Sequence, residues 1–448
     1  MVLVMSMTTA TPKLGGDFHR LWSASLATNL GDGVALAAGP LLVAGLTRDP
    51  ALVGMAVFVQ QLPWLLLSLF SGALVDRLDR RRLVVVVNLV RAVVLGALTG
   101  AIATGHVSIP VVYAAFFLLG TAETLADTAS GALVPAVVPV EALPAANARL
   151  MGVHLLGNQF AGPPLGAAIF VFSAALPFGV NAATFLIGAL LVRGMRHRAV
   201  PPDPAGRRPM RQEIAEGVRW LLAHRLLRMF FVCLFFMNLT LMATVSIMVL
   251  YATERLGLPA IGFGLLTTVM AVGGLLGTVL ASRLVRRFGE SPLMRVGLLV
   301  ETATHFVLAG TRSAWVVGVV LFVFGVHGVV WGTIIAAVRQ RVVPDRLRGR
   351  VGSVSMLLSI GGSALGSLGG GLLAKVFGLT APFWTAGAAM VVLTAVAWRG
   401  FGPAAFREQA PGNPVADTQY PGGTDVDPAI TGESPEERAC APPGERPQ

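Results

Sequence analysis

Ser313 to Val338 reads SAWVVGVVLFVFGVHGVVWGTIIAAV, an apolar run interrupted by a single ionisable side chain, His327. At ~1.5 Å per residue a helix of this length crosses a ~30 Å hydrocarbon layer. Comparable stretches recur from Leu21 to Trp398, about twelve in all, at approximately 18–46, 51–75, 83–104, 108–134, 145–173, 177–194, 226–252, 259–282, 292–311, 313–338, 351–374 and 380–399. Backbone amides in lipid must bond within their own segment, so these stretches are expected to be helices. The ~10-residue alternating strands of a membrane barrel are absent. The fold class expected is therefore all-α integral membrane with twelve transmembrane helices, and the lipid bilayer is its solvent.

Composition agrees. Of the 448 residues 54% are hydrophobic and 13% charged, and the mean hydropathy is +0.73, which excludes a water-soluble globular domain. The opening MVLVM is too short an apolar run for a cleaved signal, so the first helix is expected to be retained. Of the two cysteines, Cys233 falls in a span and Cys440 in the tail, leaving neither a disulfide framework nor a metal cluster, and no cofactor is expected. The net charge of +11 could suit nucleic acid, but the cations sit in short connections between spans. They fall at Arg77, Arg80 to Arg82, Arg149, Arg193 to Arg228, Arg283 to Arg295 and Arg339 to Arg350. The alternate connections hold only Arg48, Arg255, Arg312 and Lys375. By the positive-inside rule this pattern puts both termini in the cytoplasm of a multi-pass protein of the inner (cytoplasmic) membrane, with no nucleic-acid partner.

The chain divides into a short N-terminal tail (1–17), two six-span units (18–194 and 226–400), a basic connection between them (195–225) and a C-terminal tail (401–448). In the connection Ile214, Val218, Leu221 and Leu222 share one helical face, as in an amphipathic helix lying on the inner membrane surface. The tail from Phe401, rich in Pro, Gly, Asp and Glu, is expected to be disordered. The two units resemble each other at an offset of about 205 residues. VVPVEALPAANARLMG from Val137 aligns with VVPDRLRGRVGSV from Val342, GALVDRLDRRR from Gly72 with TVLASRLVRRF from Thr278, and AGPPLGAA from Ala161 with LGSLGGGL from Leu365. Two pseudo-symmetric six-helix bundles of this kind place a cavity at their interface near mid-membrane.

Against this frame the motifs resemble the major facilitator superfamily. Gly72-Ala-Leu-Val-Asp76-Arg77-Leu78-Asp79-Arg80-Arg81-Arg82 is similar to that family's G-x-x-x-D-R-x-G-R-R loop, with Asp79 where the second glycine belongs and where a left-handed turn is therefore expected. Gly162-Pro163-Pro164-Leu165-Gly166-Ala167 resembles the G-P-x-x-G-G core of its antiporter motif; Ala167 replaces the last glycine, and Asn158 the glycine four residues earlier. Asn29-Leu-Gly-Asp32-Gly, Asn88-Leu-Val-Arg91-Ala and PDRLRGR from Pro344 resemble the branch of bacterial siderophore exporters and macrolide or drug efflux proteins. The resemblance, over residues 18 to 400, implies a transporter working by alternating access, with a gate at the cytoplasmic end. There Asp76 would face the start of span 11 around Gly352 and Ser353, with Arg77, Arg80 or Arg81 bridging. It also suggests that tight packing around span 5 blocks a proton leak.

Ionisable groups inside spans are costly, by ~2.5–3.5 kcal/mol on insertion scales, and are therefore functional candidates. Arg91 and Asp127 lie at similar depth, Glu123 and Asp127 share a face, and so do Asn29 and Asp32. Arg91 is expected to pair with Asp127 or Glu123, leaving a carboxylate, Asp32 first, to exchange protons; a static polar clasp between helices is the alternative. In the second unit Glu301 and His305 share a face of span 9, while His327 and Trp331 lie four apart in span 10. Asn29, Asn158, Gln159, Asn181, Asn238 and His154 are further candidates for the cavity, and Phe230, Phe231, Phe235 and Phe236 for contact with an apolar substrate. Pro163 and Pro164 remove backbone donors and are expected to bend span 5.

The expectation is a monomeric secondary transporter that exports a hydrophobic or amphipathic small molecule against protons, or sodium. A facilitator or importer of the same fold, or a membrane sensor, is the alternative. No GxxxxGK[ST], HExxH or GxSxG run occurs, which argues against direct use of ATP and against an intramembrane enzyme.

Overall fold

The computed structural model describes residues 14–75, 78–196, 218–344 and 347–407. Twelve helices are long and apolar enough to span a membrane. They are α1 (Gly16–Leu46), α2 (Pro50–Val75), α3 (Arg80–Ala103), α4 (Ile109–Val137), α5 (Val140–Phe172), α6 (Leu176–Arg193), α7 (Arg225–Val245), α8 (Ala260–Phe288), α9 (Glu290–Gly310), α10 (Ala314–Val342), α11 (Arg348–Phe377) and α12 (Ala381–Gly400). Their limits follow local chemistry. Prolines sit in the first turns of α2, α4, α6 and α12, where the missing N–H has no partner to lose. Asp49 Oδ1 accepts from Ala51 N–H to cap α2. Gly289 and Gly378 stop α8 and α11 at φ 79° and 90°, a region costly for any side chain.

The helices pair in the same pattern twice. In the first bundle α1 packs on α5 and α6, α3 on α4 and α6, and α2 on α4. In the second α7 packs on α11 and α12, α9 on α10 and α12, and α8 on α10. The bundles meet along α2 with α11 and, in the mirrored position, α8 with α5. Glycine permits the closest crossings. A Cβ on Gly33 would stand 2.5 Å from Gly157 O, so α1 and α5 touch through bare backbone, and a Cβ on Gly366 would stand 2.1 Å from Leu239 O at the equivalent α11–α7 crossing.

An even number of spans puts the start of α1 and the end of α12 on one face, here the terminal face. On it each bundle is tied to itself. Arg20 bonds Gly194 O and pairs with Asp17, which accepts from Arg196 N–H; Arg341 pairs with Glu290; Ser291 Oγ donates to Phe401 O. On the opposite face two ion pairs cross between the bundles, Arg48 to Glu254 at 3.2 Å and Lys375 to Asp49 at 2.6 Å.

Three expectations need correction. Asp79 takes no left-handed turn: at φ −64°, ψ 108° it is the N-cap of α3 and accepts from Arg82 N–H at 3.0 Å. Capping is what a short carboxylate does better than glycine. The C-terminal tail is not free from Phe401 onward, because Phe401 is fully buried beside Phe230 and Trp331, and a short helix, Pro403–Arg407, brings Phe406 against it. Two aromatic rings gain enough apolar burial to hold this segment on the second bundle; residues 408–448 lie outside the described residues. In the connection Leu221 is buried in the second bundle's core with Val218 and Trp220 against it, whereas Leu222 is exposed, so the two do not share a face. Ile214 lies outside the described residues.

Candidate functional site

Arg91, on α3, is the pivot of the first bundle. Its side chain is 8% exposed and lies 3.8 Å from the Glu123 carboxylate of α4, whose side chain is 38% exposed. The guanidinium lies over the Phe185 ring of α6 at 4.5 Å from its centroid, a cation–π contact that holds the charge where hydrogen bonds are few. Among the described residues its Nε has no hydrogen-bond partner. Of the two carboxylates offered by the sequence, Glu123 therefore lies within ion-pair distance. Asp127, one turn further along α4, is exposed and within electrostatic reach of Glu123, Arg91 and His154. Asp32, half-buried on α1, faces Arg91 and Asp127 beside the amide of buried Asn181 on α6. Asn29, one turn before Asp32, shares a hydrogen bond with His154 of α5 at 3.0 Å and donates to Ser25 O.

Three carboxylates thus face one guanidinium, at a depth where unbalanced charge is expensive. Protons or small cations can neutralise the excess, and each one bound or lost changes the attraction between α1, α3 and α4. The arrangement is an acid-rich centre around one arginine, part of it open and part sealed.

Span 5 presents the centre's histidine in an unusual way. From His154 to Ala161 the ladder is π-helical, and Gly162 N–H bonds Gly157 O, five residues back. Pro163 and Pro164 follow, so the carbonyls before them have lost their usual donors. The prolines, expected to bend the span, coincide with this change of register. Asn158 sits within the π segment, its backbone against Gly33, while Gln159 is exposed. Gly162 and Gly166 press on Gly33 and Val34 of α1, and Pro163 meets Gly264 of α8.

The second bundle groups its polar residues differently. Glu301 is 1% exposed, 3.2 Å from His327 Nε2 and 3.8 Å from His305 Nε2, and Trp331 sets its edge against His327. Asn238 bonds Leu234 O and accepts from Ser363 of α11. Phe230 and Phe231 are buried in that bundle's core.

Between the bundles lies a cavity of about 520 Å³, lined by Gln61 and Trp64 of α2, Leu234 of α7, Arg339 of α10 and Gly352, Ser355, Met356, Ser359 and Ile360 of α11. Arg339 and Gly352 bring it to the terminal face. Gln61 and Trp64 escaped the sequence reading; the Gln60-Gln61 pair in an otherwise apolar span was the available signal. Of the gate-loop residues, Asp76 and Arg77 lie outside the described residues, and Gly72 is placed only as part of α2. Arg80 and Arg81 open α3, where Arg81 bonds Arg193 O within its own bundle.

This architecture, with two pseudo-symmetric six-helix bundles and a cleft between them, defines a carrier of the major facilitator type. Residues 7–417 match the family described as transmembrane secretion effector, and the chain belongs to that branch of the superfamily. Its relatives are transporters, not enzymes. It is 29% identical to an MFS-type transporter of Mycobacterium tuberculosis, across 75% of this chain and 80% of that one. It is 27% identical to the multidrug efflux pump Tap of Mycolicibacterium fortuitum, across 84% and 93%, and 24% identical to the enterobactin exporter EntS of Shigella boydii, across 74% and 79%. Among solved structures, the nucleoside transporter NupG has the same fold, with a TM-score of 0.70 at 13% identity over 86% of this chain and 99% of that one. A bacterial homologue of the iron transporter ferroportin scores 0.67 in its inward-facing state, at 20% identity over 86% and 98% of the two chains, and 0.55 in its outward-facing state, at 21% over 86% and 99%.

Proposed function

We propose that the protein exports a hydrophobic or amphipathic small molecule in exchange for protons, working as a monomer in the inner membrane with its terminal face in the cytoplasm. The observation that carries this reading is the centre at Asp32, Arg91, Glu123 and Asp127, where several carboxylates share one guanidinium on partly accessible helix faces. Asp32 is the coupling residue: it belongs to that centre and adjoins Gly33, which packs on α5, the helix through which the first bundle meets α8 of the second. With the carboxylates charged, substrate enters the cavity lined by Gln61, Trp64 and Met356 from the cytoplasm. Protonation from outside weakens the attraction to Arg91 and favours release and return.

The arginine-rich connections support the assignment of the terminal face. Closure of the other face by Arg48–Glu254 and Lys375–Asp49 fits a carrier open to the cytoplasm, as does the higher score against the inward-facing state of the ferroportin homologue. Export, rather than uptake, is suggested by the efflux pump and the enterobactin exporter among the relatives.

The test is transport in inside-out vesicles energised by a pH gradient, with ethidium, a macrolide and a catecholate siderophore as probes. The wild-type protein accumulates at least one of them and stops on addition of an uncoupler, while Asp32→Asn, inserted to the same level, does not. Gradient-driven accumulation by Asp32→Asn equal to wild type overturns the coupling role. Flux in the opposite direction makes the protein an importer.

A further inference from the structure

Glu301 is a carboxylate with almost no contact with solvent, in a part of the molecule that the proposed cycle leaves unused. We propose that Glu301, His305 and His327 form a second proton-binding site, enclosed in the second bundle and separate from the carboxylates of the first.

The three residues are 1%, 1% and 8% exposed. Glu301 Oε2 lies 3.2 Å from His327 Nε2 and Oε1 lies 3.8 Å from His305 Nε2. Among the described residues, Glu301 Oε1 and both ring nitrogens of His305 are buried without a hydrogen-bond partner, an arrangement that native interiors avoid unless the group has a further task. The charged or titratable groups acting on Glu301 are His305, one turn on in α9, and His327 across on α10. From α12, Thr394 meets Thr302 of α9. Arg295 of α9, about 9 Å lower by helical rise, is engaged with Trp398 of α12, and the arginines of α8 and α10 and Arg399 of α12 lie in or near the last turns of those helices. Among the described residues, no cation other than a histidine is therefore at hand to balance the carboxylate.

One bound proton makes the triad neutral overall, as a carboxylate, an imidazolium and an imidazole. It forms an N–H bond with an imidazole lone pair, with no redox change. The packing leaves room for little else, since a Cβ on Gly297 would already stand 2.8 Å from His327 and 2.7 Å from Trp331. His327, the least enclosed member, is the entry point.

Trp331 reports on the site, because its ring centroid lies 5.7 Å from that of His327 and an imidazolium quenches a neighbouring indole. The full chain in lipid nanodiscs, with EDTA present, is titrated from about pH 5 to pH 9 by tryptophan fluorescence. Subtracting the Trp331→Phe titration removes the signal of the other Trp–His pair, Trp220 stacked on His224. The expected difference signal is a single transition that is lost in His327→Gln and moves by about one pH unit or more in Glu301→Gln, as removal of an adjacent charge requires. A flat difference signal between wild type and Trp331→Phe, which needs no change to the triad itself, overturns the proposal. So does an unmoved transition in a folded, monodisperse Glu301→Gln, or a transition that appears only when zinc replaces EDTA.

Discussion

The two bundles share one helix-pairing scheme and diverge in their buried charge. In the first, an arginine faces three acids on helix faces that open to their surroundings, and Glu123 keeps 38% of its side chain accessible. In the second, one acid is shut in with two histidines, Glu301 at 1% exposure. Arginine stays charged under all working conditions, so any change of charge in the first centre falls to the groups around it. Histidine can vary itself. One helix-pairing scheme therefore serves both halves and leaves the chemistry of each free to differ.

Substitution at Arg91 should break this contrast most severely. Arg91→Leu leaves the carboxylates without their cation, and gradient-driven transport is expected to fall by at least about tenfold, with Arg91→Lys intermediate because it restores charge without the planar stacking on Phe185. Vesicle flux normalised to inserted protein measures both. Accessibility gives the next effect. A hydrophobic carbodiimide should label Asp127 and Glu123 readily and Glu301 at least about tenfold less, as read by peptide mass spectrometry; equal labelling would erase the distinction between open and sealed centres. The smallest effect concerns the ties between the bundles. The Lys375 ammonium and the Ala51 amide hold the Asp49 carboxyl below its ordinary range. Its contribution is thus complete above the ordinary aspartate value, near pH 4, and is lost only as pH falls through the lowered one. Crosslinking of cysteines placed beside Asp49 and Lys375 should stay constant from pH 5 to 8, whereas Asp49→Asn should reduce it about twofold, because an exposed pair is worth little.

Much of this was legible in the residues. Span limits followed from apolar length, and the α5 and α11 glycines lie where the internal repeat aligns, because an α1–α5 or α7–α11 crossing tolerates no side chain at Gly162 or Gly366. Depth and helix face left Arg91 with either Asp127 or Glu123, and it is Glu123 that lies 3.8 Å away. What escaped were features that depend on partners distant in sequence. Phe401 looked like the start of a polar tail until Phe230 and Trp331 were found waiting for it. Gln61 and Trp64 carry no signal of a cavity until α11 is set opposite. Asp79 was read as a substitute for glycine, although its own carboxylate supplied a helix cap.

The register change in α5 coincides with a change of neighbours. Its first part, Leu143–Val153, packs on α1 and α4 within its own bundle, while the part from Gly162 packs on α1 and also on α8 of the other bundle. Between them, His154–Ala161 is wound more loosely than the turns on either side. The change of register therefore sits at the join between the part of α5 confined to the first bundle and the part shared with the second, and His154, which opens it, ties that join to Asn29 and the charges beside it.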